Sequence, residues 1–217
     1  MPSSVRPQRR SHAERLADAE ARRARRSEVS DPQVVMEAAA AFLALRQRSV
    51  AETRRRLRQL GYPASLCDEV VGRLEGVGYL DDTAFARAWV ESRDRVRPRG
   101  AAVLRQELRA KGVADETIGL ILAERQAMTP SVPHAEGPGG SGPETEAGVG
   151  AAKTAGDVAA AQRLLARRRA ALSREPDPRR RRERAYALLA RNGFDPDVCA
   201  SVVRQALAEP EDHGAGV

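Results

Sequence analysis

A short pattern built around a glycine occurs three times in this sequence and constrains the fold more than any other feature. The three glycines are Gly61, Gly112 and Gly193. Each has a leucine four residues earlier and an apolar residue directly after it, and further apolar residues follow six, nine and ten positions on. Glycine tolerates the left-handed conformation that commonly ends a helix, and the next apolar residue can fold back onto the last turn. The pattern therefore predicts a helix–glycine–helix unit that is present three times.

The composition between these anchors favours helix throughout. Only 3% of the residues are aromatic, so a core must be built from alanine, leucine and valine. Alanine, leucine and arginine are strong helix formers, and no segment shows the sustained alternation of a strand. The predicted fold class is all-α, with three tandem three-helix repeats that form an elongated array. A unit of about 45 residues is too small to hold a stable core alone, so neighbouring repeats are expected to stack.

Residues that start and stop helices divide the sequence into six segments. Asp31-Pro32, Asp177-Pro178 and Asp195-Pro196 each combine an N-cap side chain with a proline suited to the first helical turn. The composition then changes to Pro, Gly, Ser, Thr, Ala and Glu in one internal stretch, which is typical of a linker. The predicted segments are a flexible basic N-terminal arm at 1–30, helical repeat one at 31–77, helical repeat two at 78–126, a Gly- and Pro-rich linker at 127–156, helical repeat three at 157–208 and a tail at 209–217.

Two finer predictions concern helix starts, and one concerns the arm. Either Asp81 or Asp82 is expected to cap the first helix of repeat two, which is a more common role for such a pair than metal binding. Asp157 is expected to begin the first helix of repeat three. Within the arm, residues 13–27 allow a charged helix as an alternative to a flexible chain, although the arm has few large apolar side chains.

The residue types that support catalysis are sparse and poorly placed. All three histidines fall in the arm, the linker or the tail, and the glycine-rich run at 137–142 lacks the lysine and the flanking strand of a phosphate-binding loop. Cys67 and Cys199 occupy matching positions of repeats one and three, where repeat two has Ile118, so buried free thiols are expected. The sequence predicts no enzyme, no catalytic residue, no metal and no cofactor.

The sequence also carries expectations about location. No apolar run approaches the length needed to cross a bilayer, and the first residues lack the apolar core of a signal peptide. The two cysteines, far apart and unaccompanied by further cysteines, are typical of a reducing compartment. We therefore expect a cytoplasmic monomer without a membrane partner.

The charge of the chain indicates a polyanionic partner. The formal net charge is +7 and the pI is near 10.3, and nearly all of the basic residues are arginine. Arginine clusters recur on the second helix of each repeat and would form a basic surface for DNA or for an acidic protein groove. A set of solvated helix faces is the alternative that the sequence leaves open. The candidate contact residues are Arg54, Arg55, Arg58, Arg95, Arg97, Arg99, Arg105 and Lys111.

Aromatic side chains do not add to this candidate surface. Phe85 and Trp89 lie near helical spacing and are expected in the core rather than on a base-stacking platform. Modules that bind single strands or RNA usually expose several aromatic side chains, and this chain has few.

Three stretches of the sequence resemble the bacterial RecX family of regulatory proteins. They are the run from Leu45 to Tyr62, the segment GYLDDTAFA at 78–86 and the segment GAAVLRQELRAKG at 100–112. The resemblance covers residues 31–126 well and extends more loosely to repeat three, through Gly193 and its neighbours. It implies tandem three-helix repeats in a curved rod and a non-enzymatic modulator of the RecA recombinase. It further implies binding along the groove of the RecA–DNA filament, with loss of ATP hydrolysis, strand exchange and coprotease activity, and hence a role in homologous recombination, DNA repair and the SOS response.

Two hypotheses for function follow. The first is a RecA-filament inhibitor that uses the helical array; whether it also contacts DNA directly is left open by the sequence. The second is an autonomous, basic, DNA-binding architectural protein driven by the arm and the arginine clusters, whose binding would fall steeply with salt. Deletion of residues 1–30 distinguishes them, because an autonomous DNA binder should weaken severely and a filament-groove binder much less.

Overall fold

The computed structural model describes residues 11–127 and 155–207, so most of the predicted linker and the tail lie outside the described residues. Within the described ranges the chain forms ten helices and no strand. The helices are α1 (His12–Ser27), α2 (Pro32–Leu43), α3 (Val50–Leu60), α4 (Ala64–Gly76), α5 (Asp82–Val96), α6 (Ala101–Ala110), α7 (Asp115–Ala127), α8 (Ala155–Leu172), α9 (Pro178–Arg191) and α10 (Pro196–Ala206). The prediction of an all-α chain built from tandem three-helix repeats is confirmed.

The chain divides into two compact units, Met1–Asp82 and Thr83–Val217. The first contains α1 and repeat one, whose helices α2, α3 and α4 enclose a core that includes Val35, Leu57 and Val71. The second contains repeat two (α5–α7) and repeat three (α8–α10), each with its own apolar cluster. No helix among the described residues is both long and apolar enough to cross a membrane.

The repeated glycine adopts the predicted turn in every repeat. Gly61, Gly112 and Gly193 have φ values of 103°, 81° and 80°. In each case the next residue is buried, and its N–H donates to the carbonyl of the leucine that precedes the glycine by four residues. This backward bond together with burial of the following side chain is the Schellman ending of a helix. The sequence pattern thus specified both the turn and its hydrogen bond.

The proline-assisted helix starts are also confirmed. The carboxylates of Asp31, Asp177 and Asp195 each accept the backbone N–H two residues on, at 2.8–2.9 Å. A proline occupies the first turn of α2, α9 and α10, where its missing N–H has no intrahelical partner to lose.

The carboxylates of Asp82 and Asp157 each accept a hydrogen bond from another helix, a role that the sequence does not predict. Asp82 accepts the N–H of Val50, the first residue of α3, at 2.9 Å. Asp157 accepts the N–H of Ala101, the first residue of α6, at 3.2 Å. Both acceptors stabilise the unpaired donors at the start of a second helix. Burial raises the pKa of Asp82, while the N–H of Val50 acts in the opposite direction. Helix α8 begins at Ala155, two residues before the start that the sequence predicts at Asp157.

Residues His12–Ser27 form the charged helix that was the alternative for this part of the arm. Ser11 and Glu14 form a reciprocal capping box, which stabilises the start of α1 without any buried side chain. At its other end the guanidinium of Arg26 lies 5.7 Å from the ring of Tyr62 and 3.5 Å from the carbonyl oxygen of Leu60. These contacts place α1 against the end of α3, and residues 1–10 lie outside the described residues.

Repeats two and three pack together in the second unit through a buried ionic network. Arg125 donates two hydrogen bonds to Asp94, at 2.9 and 3.0 Å, and one to Asp157, at 2.5 Å. A fourth bond reaches the carbonyl of Arg99 at 3.1 Å. Burial disfavours the charged form of Arg125, but the two carboxylates outweigh burial and hold its pKa above the ordinary value. We call Arg125, Asp94 and Asp157 the joint triad.

A close approach of two backbones completes this joint. The N–H of Gly100 donates to the carbonyl of Asn192 at 3.0 Å. A Cβ on Gly100 would lie only 2.0 Å from the carbonyl oxygen of Gly193. The side chain of Val103 also packs closely against Gly193, since a Cβ on Gly193 would lie 2.4 Å from a methyl carbon of Val103. Only glycine at both positions permits this contact between repeats two and three.

Candidate contact surface

The candidate arginines of repeat one lie on the outer face of α3. Leu57 points into the core, whereas Arg55 and Arg58 are exposed and Arg54 is half-buried. Arg54 and Arg58 share Asp68 of α4, with a nitrogen-to-oxygen distance of 2.9 Å for each pair. Two of the three arginines therefore pair with one carboxylate, which leaves a net positive charge on this face. Because the Arg58–Asp68 pair is exposed, it contributes little to stability and Arg58 remains available to another anion.

A fourth arginine joins this face from α1. Arg23 borders an open depression together with Arg54, Arg55, Arg58, Ala51 and Gln59. The sequence prediction missed Arg23, because the arm was expected to be flexible and so offered no fixed position for its side chains. The only sequence signal was the capping box at the start of α1, which indicates a helix but not where the helix packs. We call Arg23, Arg54, Arg55 and Arg58 the four-arginine depression.

Repeat two carries three candidate arginines that are exposed. Arg95 and Arg97 lie at and beyond the end of α5, and Arg105 lies on α6. The neighbouring Arg109 is paired with Asp115, and this hydrogen bond raises the pKa of Arg109 and lowers the pKa of Asp115. The three exposed cations thus retain positive charge on this part of the second unit.

Arg99 belongs to the joint between repeats two and three. Its guanidinium donates to the side-chain oxygen of Asn192 at 2.5 Å, and its carbonyl accepts from Arg125. The side chain is half-buried, so a structural role competes with the predicted contact role. Sequence spacing could not separate the two roles, because Asn192 lies 93 residues away along the chain.

Lys111 packs against the single tryptophan of the chain. Its ammonium nitrogen lies 5.0 Å from the centre of the Trp89 ring, and the guanidinium carbon of Arg93 lies 4.4 Å from it. Glu107 accepts hydrogen bonds from both Trp89 and Arg93, at 2.8 and 2.6 Å. Trp89 is therefore half-buried beneath cations rather than fully in the core, whereas Phe85 is 2% exposed and lies in the core as predicted. This arrangement holds two positive charges at fixed positions.

The two cysteines are buried and free, as the repeat pattern predicts. Each thiol lies near the carbonyl five residues earlier, 3.7 Å from Tyr62 for Cys67 and 3.6 Å from Phe194 for Cys199. Burial raises the pKa of both thiols, which disfavours the reactive thiolate. Among the described residues no group of three or more His, Cys, Asp or Glu side chains is arranged to hold a metal ion.

The fold and the surface together define the class of protein: an α-helical tandem-repeat protein with clusters of arginine on its surface. Sequence models of two RecX domains match the chain, the first three-helix domain over residues 36–74 and the second over residues 81–119. These ranges fall within repeats one and two.

Relatives extend the match to most of the chain. The proteins named regulatory protein RecX from Mycobacterium tuberculosis H37Rv and Mycobacterium ulcerans are 31% and 32% identical over 171 residues, covering 78% and 79% of this chain and 84% and 83% of their own lengths. The protein of that name from Prosthecochloris aestuarii is 39% identical over 87 residues, which is 40% of this chain and 58% of the relative. The chain belongs to the RecX family.

Solved structures support the same fold. A crystal structure of regulatory protein RecX aligns with a TM-score of 0.58 over 92% of this chain and 80% of its own, at 16% identity. The structure of RecX from Lactobacillus salivarius aligns with a TM-score of 0.57 over 82% of this chain and 96% of its own, at 19% identity. At these identities the structural likeness concerns the fold alone.

Proposed function

We propose that this chain regulates the RecA recombinase by binding the RecA–DNA filament and inhibiting its ATPase, strand exchange and coprotease activities, without catalysis of its own. The observation that carries the proposal is the 31% identity to a mycobacterial regulatory protein RecX over 171 residues. This alignment is longer than any two of the repeats and therefore does not depend on a single motif.

The exposed arginines supply a physical basis for filament binding. The RecA–DNA filament is a helical polymer with regularly spaced acidic groups and phosphates, and a chain of similar helical repeats can contact several of them at once. Each exposed arginine contributes little alone, but contacts made by linked repeats reinforce one another through effective concentration. Arg95, Arg97 and Arg105 are suited to such contacts, because all three are exposed on one repeat.

Replacing these three arginines by glutamine tests the contact role. We expect Arg95→Gln/Arg97→Gln/Arg105→Gln to weaken cosedimentation with RecA–DNA filaments about tenfold, as three contacts of about 0.5 kcal/mol each would give. The matched control is Arg168→Gln/Arg174→Gln/Arg204→Gln, which removes the same charge from exposed arginines of repeat three that lie outside its second helix, α9. Equal weakening by both triple variants would show that net charge alone matters and would contradict the assigned surface.

A second candidate function, autonomous DNA binding, is favoured by one specific observation. Helix α1 is rich in arginine and places Arg23 beside the arginines of α3. An architectural protein of this kind should bind duplex DNA without RecA, with an affinity that falls steeply as salt increases. If such binding is tight and the RecA activities are unaffected, this second function replaces the first.

A further inference from the structure

Two separate helices of the first unit, α1 and α3, converge at the four-arginine depression. We propose that Arg23 of α1 and Arg54, Arg55 and Arg58 of α3 form a binding site for the phosphate groups of a DNA backbone, and that α1 must be docked at Gly61 for this site to exist. This site deepens the proposed function and rests on it for the identity of the ligand, which is the DNA carried by the RecA filament.

The composition of the depression favours an anion with several charges. Four arginines line it, and two of them, Arg54 and Arg58, share the carboxylate of Asp68. Guanidinium groups bind phosphate through paired, planar hydrogen bonds. Because they are weakly hydrated, removing their water on contact costs little free energy. An exposed counterion such as Asp68 holds the arginines in place in the free protein and yields to phosphate on binding.

The shape of the depression favours a polymer over a small enclosed anion. The depression is open, and Ala51 and Gln59 of α3, a small and a neutral side chain, complete its lining. No aromatic ring lines it, so bases have nothing to stack on, and recognition would fall on the sugar–phosphate backbone. Binding should therefore depend on salt and not on base sequence.

Gly61 makes the docking of α1 possible. A Cβ at this position would lie 2.6 Å from the Cγ of Arg23 and 2.9 Å from its carbonyl oxygen. An alanine there would push away both the backbone and the side chain of the residue that completes the depression. Gly61 thus has two roles, to end α3 in the left-handed conformation and to accept α1.

Gly78 offers a matched control for this second role. It also has a positive φ, 77°, and it lies in the same unit, but a Cβ on it would meet no atom within 4 Å. Both Gly61→Ala and Gly78→Ala therefore place an alanine in the strained left-handed conformation, and neither changes the net charge. Only Gly61→Ala displaces α1.

The test is fluorescence anisotropy of the full-length chain with a labelled DNA oligonucleotide, without RecA, at several salt concentrations. We expect Gly61→Ala to weaken binding about tenfold, a change of about 1.4 kcal/mol, while Gly78→Ala changes it less than twofold. Arg23→Gln/Arg55→Gln should weaken binding and lower the slope of log affinity against log salt by about two, since two phosphate contacts are lost. This pair keeps the test decisive if Gly61→Ala does not fold.

The charge control is Arg73→Gln, at an exposed arginine of α4 that pairs with Glu69, 2.6 Å away. It should lower the salt slope by less than one.

Equal effects of Gly61→Ala and Gly78→Ala, or an unchanged salt slope in Arg23→Gln/Arg55→Gln, would overturn the site. Displacement of DNA by polyglutamate at equal charge concentration would also overturn it, because the site would then recognise acidic protein. Loss of RecA inhibition is measured separately, so failure of the proposed function leaves a different signature from failure of this site.

Discussion

Arg125→Ala should lower the free energy of unfolding of the second unit by about 3–5 kcal/mol, because it leaves two carboxylates of the joint triad without their cation in a buried site. The side chain of Arg125 is 6% exposed, and those of Asp94 and Asp157 are 19% and 7% exposed. The loss should therefore exceed what deletion of an exposed ion pair produces. Urea unfolding followed by the fluorescence of Trp89, the only tryptophan in the chain, reports on this unit directly.

Arg87→Ala is the control for this prediction. Arg87 also binds a carboxylate through two nitrogens and also joins α5 to α7, through Glu124, but its side chain is 47% exposed. We expect it to cost less than about 1 kcal/mol. If Arg125→Ala costs no more than Arg87→Ala, the triad does not stabilise the joint between repeats two and three.

Gly100→Ala should have the second-largest effect, about 3 kcal/mol, because a methyl group would overlap the backbone of Gly193 and force the two repeats apart. Gly100 has φ −73° and ψ 161°, which any residue can adopt. The cost therefore reflects the close approach alone and not backbone strain. The same urea titration, read by Trp89 fluorescence, measures it.

Gly119→Ala provides the comparison, because Gly119 lies within α7 and a Cβ on it would meet no atom within 4 Å. Alanine should stabilise α7 by about 0.5–1 kcal/mol through its higher helix propensity. No loss of stability in Gly100→Ala would contradict the described packing of repeat three on repeat two, and a loss in Gly119→Ala would contradict the open surroundings of Gly119.

Local sequence patterns predicted the parts of the fold that depend on neighbours along the chain. The leucine–glycine–apolar spacing predicted all three left-handed turns, and the Asp-Pro pairs predicted three helix starts, because both devices act within a few residues. The burial of Cys67, Ile118 and Cys199 at matching positions followed from the same repeat. The family resemblance rested on residues of this kind.

Contacts between distant residues could not be predicted in the same way. Arg125 and Asp157 are separated by 32 residues that include the predicted linker, and no spacing rule relates them. Asp82 has the residue type of a helix cap, and the structure shows that the helix it caps is α3 rather than α5. Arg99 has the residue type of a contact residue but lies in the joint, since burial and not composition decides between these roles.

The position of α1 illustrates the same distinction in the candidate site. Its sequence has few large apolar residues, which favoured a flexible arm. The structure instead anchors its C-terminal end through the cation–π contact of Arg26 with Tyr62 and through the space that Gly61 leaves for Arg23. Neither contact depends on apolar burial, so hydrophobic periodicity alone could not indicate it.

The DNA-dependent ATPase activity of the RecA protein from the same organism, titrated with the full-length chain, tests the central proposal most directly. We predict progressive inhibition at substoichiometric ratios of this chain to RecA, because one chain of linked repeats would act on several neighbouring subunits of the filament. An ATPase rate that stays constant at every ratio, with the chain folded and RecA active, would contradict the proposal.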